Sequence, residues 1–125
     1  MSEPGSLKAS CHCGAVRLEA SHPPTSLTDC NCSICRRYGA KWAYYTVSTA
    51  RVSCAPESIA SYSWGDRLID FYHCTTCGCL THYENADKSG DYRFVINARM
   101  MAPEDIAGVP VRRLDGADTW EYLDP

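Results

Sequence analysis

The chain has 125 residues, a formal net charge of −3, 45% apolar and 22% charged residues, and nine cysteines. That length fits a single domain, 1–125, able to bury a core of its own. The composition excludes a disordered chain, and the mildly acidic balance excludes a nucleic-acid binder that works through bulk positive charge.

Met1 to Lys8 hold no apolar run, so no signal peptide is expected. The longest mostly apolar stretch, Trp42 to Val47, is far too short to cross a bilayer. A cytoplasmic address without membrane contact is the expectation. Ala15 to Ala20 alternates apolar and polar residues and predicts a half-buried strand, broken by His22-Pro23-Pro24-Thr25. Leu27 to Cys32 is ambiguous. Ser33 to Tyr38 predicts a helical turn that Gly39 ends. Trp42 to Thr49, rich in aromatic and β-branched residues, predicts a strand, and Arg51 to Cys54 another, cut by Pro56. Ile59–Trp64 and Leu68–His73 flank Gly65-Asp66-Arg67 as a hairpin. Cys79–Glu84 and Tyr92–Arg99 flank a polar turn over 85–91. Pro103 to Ile106 predicts one more helical turn, with proline at its start. Leu114, Trp120, Tyr122 and Leu123 give the tail enough apolar surface to dock on the sheet. The class is mainly β, with antiparallel strands and one or two short helical turns.

Eight of the nine cysteines fall in three clusters: Cys11-His12-Cys13-Gly14, Cys30-Asn31-Cys32-Ser33-Ile34-Cys35 and Cys74-Thr75-Thr76-Cys77-Gly78-Cys79. Cytosolic thiols stay reduced, so metal ligation is expected before disulfides. Gly14 and Gly78 follow their cysteine pairs, where a turn that aims N–H groups at sulfur takes up a positive φ. Two such turns, distant in sequence, make a tetrahedral four-thiolate zinc site from Cys11, Cys13, Cys74 and Cys77. Cys30, Cys32 and Cys35 then hold a second zinc with its fourth position open, the arrangement of a catalytic metal. Spacing alone leaves alternatives. Cys79 can swing in to close the second site, both sites can be closed and inert, or the thiolates can hold an iron–sulfur cluster. Four thiolates around one Zn²⁺ and three around another bring the formal charge to about −6.

The early C-x-C-G, the stretch Cys30-Asn31-Cys32-Ser33-Ile34-Cys35-Arg36-Arg37-Tyr38-Gly39-Ala40, and the later C-x-x-C-G before a strand resemble the glutathione-dependent formaldehyde-activating enzyme family. That family also includes the domain of centromere protein V. The match covers about Cys11 to Arg99, with the C-terminal tail docking on that core. The resemblance implies a small zinc-stabilised β-tent. It places a structural zinc on Cys11, Cys13, Cys74 and Cys77, and a second zinc on Cys30, Cys32 and Cys35. It also implies a carbon–sulfur lyase of the S-hydroxymethylglutathione synthase kind. Its substrates would be a thiol such as glutathione and a small electrophile such as formaldehyde. A zinc-stabilised binding module without catalysis, and a labile-zinc or thiol-buffering protein, are the competing readings.

Arg36 and Arg37 follow the second cluster and suit a substrate carboxylate or the thiolate charge. Their other reading is one solvent-facing charge and one packed stem. Lys41 and Arg67 read as surface charges, and His12 must point away from Cys11 and Cys13. His73 reads as a strand residue, and His82 as a satisfied strand histidine or an acid–base group near a metal. Cys54 reads as a buried small apolar residue. Trp42, Tyr44 and Tyr45 read as core and cross-strand packing. Asp29 and Asp70 are acceptors that nothing selects.

Overall fold

The computed structural model describes residues 6–123. Its elements in chain order begin with β1 (Leu7–Ser10), β2 (Arg17–Ala20), β3 (Leu27–Cys30), α1 (Cys35–Tyr38), β4 (Trp42–Thr46) and β5 (Ala50–Ser53). They continue with β6 (Ile59–Tyr62), β7 (Ile69–Cys74), β8 (Leu80–Asn85), β9 (Arg93–Asn97), α2 (Pro103–Ile106) and β10 (Val111–Leu114). No described helix is long and apolar enough to cross a membrane.

The strands form a small sheet, β1-β2-β5, and a larger one, β10-β3-β4-β9-β8-β7-β6. Pairing is antiparallel throughout except for β10 on β3, which is parallel and departs from the all-antiparallel expectation. The exception is permitted because a long connection separates the two strands in sequence, as a parallel pair requires.

The pleat of β4 explains how one strand serves two cores. Ala43 and Tyr45 face the small sheet and pack with Leu7, Leu18, Ala20, Phe94 and Ile96. Trp42 faces the other way, onto Phe71, Leu80, Tyr83, Val95, Cys30 and Cys35. The rings of Trp42 and Tyr83 meet edge-on at 4.8 Å, and Tyr83 and Phe71 lie 5.4 Å apart. Tyr44 shares Trp42's face beyond the edge of that core and is 40% exposed, so the packing expected of all three aromatics holds for two. A third, smaller cluster of Cys11, Val16 and Cys74 joins the two sheets.

The expected hairpin over 59–73 forms, with Ile59 opposite Cys74 and Tyr62 opposite Phe71. Gly39 ends α1 at φ +65° and donates its N–H to the Cys35 carbonyl. Two strands had no sequence signal. β1 alternates over only four residues, and β10, Val-Arg-Arg-Leu, is largely exposed and takes its form from the β3 backbone. In the tail, Leu114 is half-buried in β10, and the Tyr122 hydroxyl lies 3.1 Å from Thr28 Oγ1. Trp120 and Leu123 are exposed.

Candidate metal centres

Cys11 leaves β1 and turns toward β2. Its carbonyl accepts the Gly14 N–H, Gly14 takes φ +83°, and the Val16 N–H points at Cys11 Sγ from 3.3 Å. Cys74 ends β7 in the same way. Its carbonyl accepts the Gly78 N–H, Gly78 takes φ +80°, and the N–H groups of Thr76 and Cys77 approach Cys74 Sγ at 3.4 and 3.5 Å. These are the two turns expected from the glycine spacing. They arrive from different sheets and bring the Sγ atoms of Cys11, Cys13, Cys74 and Cys77 within 4.8 Å of one another. Cys11 and Cys13 are 3.7 Å apart and Cys13 and Cys74 3.6 Å. A tetrahedral ion with sulfur at about 2.3 Å requires about 3.8 Å between sulfurs, so the donor set fits such an ion.

The backbone has prepared these sulfurs for charge. The Cys79 and Cys13 N–H groups hold the Cys77 thiol down to about 5, against burial. The Cys77 N–H lowers Cys74 likewise. At Cys13 the Ala15 N–H favours the thiolate, but burial and the neighbouring sulfurs outweigh it and push the thiol up to about 11. With metal absent, the cluster therefore shares its protons unevenly, and an ion entering it releases them.

Cys30, Cys32 and Cys35 form the second centre, again with all Sγ atoms within 4.8 Å. Cys30 closes β3 and Cys35 opens α1. Both are buried and Cys32 is half-buried. Burial raises Cys30 and raises Cys35 well above the ordinary thiol range. Burial opposes Cys32 too, but the Cys35 and Ile34 N–H groups and the adjacent thiols lower it. The Trp42 indole favours the Cys35 thiolate, yet its Nε1–H, on a residue only 1% exposed, makes no full hydrogen bond. A buried donor without an acceptor is costly, and an ionised Cys35 sulfur under a metal would answer it.

The third side of this centre comes from the tail, which the sequence did not connect with it. Asn31 Nδ2 donates to Asp115 Oδ1 at 3.0 Å, and Asn31 Oδ1 accepts the Ala117 N–H at 2.9 Å. Gly116 is buried beneath, and a Cβ added there would lie 2.5 Å from Cys30 Sγ and 3.2 Å from Cys32 Cβ. Only a glycine lets the tail approach these sulfurs so closely. An Asp-Gly pair by itself signals no more than a turn, so the contact was invisible before folding.

The remaining candidates separate clearly. Cys79 packs beside the first centre, with its thiol near the His12 N–H and Cys77, and so does not close the second. Cys54 is half-buried against the same centre and not fully buried as expected. His82 is 0% exposed and stacks between Tyr72 and Phe94. Its Nε2 is 3.1 Å from Glu84 Oε2 and its Nδ1 2.9 Å from Thr81 Oγ1, so neither nitrogen is left for a metal. His12 is exposed between its cysteines and His73 lies in β7. Arg37 Nη1 donates to the Ser33 carbonyl at 2.7 Å, whereas exposed Arg36 has no partner among the described residues. Lys41 lies 4.0 Å from Asp29, and Arg67 is exposed in the hairpin turn. Two surface cavities of about 670 and 610 Å³ lie elsewhere, and no cysteine lines either.

The sequence profile of the family described as glutathione-dependent formaldehyde-activating enzyme matches residues 6–109. The chain belongs to this family. A crystal structure of a Rhodobacter sphaeroides protein is 32% identical, covers 84% of this chain and 99% of its own, and superposes with a TM-score of 0.66. Both cysteine clusters lie inside the family segment, whereas Asp115, Gly116 and Trp120 lie beyond it.

Proposed function

We propose that this protein is a zinc-dependent carbon–sulfur lyase that joins or separates a glutathione-like thiol and a small electrophile such as formaldehyde. Forward, the thiol sulfur bonds the carbonyl carbon and the thiol proton ends on the former carbonyl oxygen. The reverse step returns both. Family membership supports the substrate pair. The observation that carries the reading is the three-sulfur centre of Cys30, Cys32 and Cys35, half-buried at Cys32, with no fourth protein ligand among the described residues.

A zinc held there supplies a position at which a thiol is kept in its nucleophilic thiolate form. The chain's own residues do the rest. Burial of Cys30 and Cys35 keeps water from two sides of the centre. Trp42 Nε1–H is available to steady the Cys35 sulfur. Arg36, exposed and uncommitted, is suited to a carboxylate of the incoming thiol, while Arg37 is partly occupied by Ser33. Cys11, Cys13, Cys74 and Cys77 hold a structural zinc.

The test is magnetisation exchange between free formaldehyde and its glutathione adduct, followed by NMR with the zinc-loaded chain. The reading expects exchange above the uncatalysed rate, lost in Cys35→Ser. A zinc-loaded chain that adds nothing to the background rate contradicts it. That result would favour a binding or metal-buffering role.

A further inference from the structure

We propose that the loop Asp115–Trp120 is a wall of the second centre, and that the Trp120 indole is the surface that any ligand reaching that metal meets on the Cys30 side. The proposal rests on Cys30, Cys32 and Cys35 holding a metal, and it assigns residues outside the matched family segment.

Three observations converge. First, the loop is fastened to the metal-site turn itself. Asn31, between Cys30 and Cys32, bonds Asp115 and Ala117 through its side chain, and its N–H donates to the Leu114 carbonyl at 3.2 Å. Second, the approach at Gly116 is tighter than any side chain permits. The Cβ position 2.5 Å from Cys30 Sγ is also 3.4 Å from Trp120 Cζ3, so Gly116 has the sulfur and the indole edge as its two close neighbours. Third, Trp120 is held in a conformation its residue type disfavours. Its φ is +60°, with its N–H donated to the Asp115 carbonyl at 2.7 Å, while 68% of the residue remains exposed. A large apolar ring kept at a strained φ, beside a metal site and not packed away, is the pattern of a ligand contact. Its flat face suits the uncharged body of a thiol, with Arg36 left for the carboxylate.

The test uses the full chain loaded with cobalt(II), whose thiolate absorption reports each centre. Wild type is expected to bind two cobalt ions, one released slowly to 4-(2-pyridylazo)resorcinol. In Trp120→Ala that release is at least tenfold faster, while the first ion, the stoichiometry and the thermal midpoint stay unchanged. Gly116→Ala either loses the second ion or releases it faster still. Gly116 has an ordinary φ, so its substitution reads the close approach and not backbone strain. Asn31→Ala, which unfastens the loop, follows Trp120→Ala. Release of the second ion at the wild-type rate in both Trp120→Ala and Gly116→Ala overturns the proposal. Glutathione titration then separates the two readings. If wild type binds glutathione, Trp120→Ala is expected to weaken it at least tenfold, and unweakened binding removes the ligand contact. If wild type does not bind it, the thiol reading falls, and the release rates alone decide the wall.

Discussion

Cys11 and Cys13 come from the small sheet and Cys74 and Cys77 from the large one, whereas Cys30, Cys32 and Cys35 come from a single six-residue stretch. An ion in the first centre therefore closes a long loop and ties two sheets. An ion in the second closes only a turn that β3 and α1 already shape. The same ligand chemistry thus has different consequences, set by where the sulfurs lie in the chain. The backbone differs too. Turns in the first centre lower Cys74 and Cys77, while burial raises Cys30 and Cys35 in the second.

The sharpest way to break this comparison is to remove one sulfur from each side. Structural zinc supplies on the order of 10 kcal/mol of apparent binding energy at neutral pH. Cys74→Ser is expected to lose the fold by circular dichroism. Cys35→Ser is expected to stay folded with one metal per chain. Equal destabilisation would make both centres structural.

Acid titration separates the centres next. Protons compete with metal for sulfur, so metal affinity falls as pH falls. Thiols with raised values hold protons more tightly. Cys30 and Cys35 are raised against lowered Cys32 in the second centre, while Cys13 is raised against lowered Cys74 and Cys77 in the first, so the second centre is expected to empty at a higher pH than the first. Metal release followed with a colorimetric indicator checks the order. The reverse order would mean that burial around Cys30 and Cys35 does not govern loading.

A smaller effect comes from β8, away from both metals. Burial lowers His82 below its ordinary value of 6.5, despite Glu84, so the folded chain takes up that proton less readily than the unfolded one. Unfolded chain takes up that proton as pH falls below about 6.5. Stability is then lost with falling pH, at no more than about 1.4 kcal/mol per pH unit. Thermal midpoints from pH 7.5 to 5.5 should therefore fall less steeply in His82→Gln than in wild type. The smallest expected change is Arg36→Ala, which should weaken glutathione binding less than tenfold, because an exposed charge is screened.

Much of this was legible before folding because its signals are local. Gly14 and Gly78 marked the turns, and the cysteine spacing marked both centres. Gly65 and Arg67 sat where the hairpin turned, and Pro103 opened α2. What stayed hidden depends on partners distant in sequence. β10 is a strand only because β3 offers an edge, and Gly116 matters only because the tail returns to Cys30. Cys79 shows the same limit. Its spacing left open a place in the second centre, and the fold packs it beside the first instead.

The central claim is that one centre holds the fold and the other holds an accessible metal. Zinc content and circular dichroism, read together during exposure of the purified chain to a mild chelator, test it most directly. The account predicts two zinc ions per chain, one released while the spectrum is unchanged and the second only as the fold is lost. Two ions that leave together with the fold, or a single ion from the start, would contradict it.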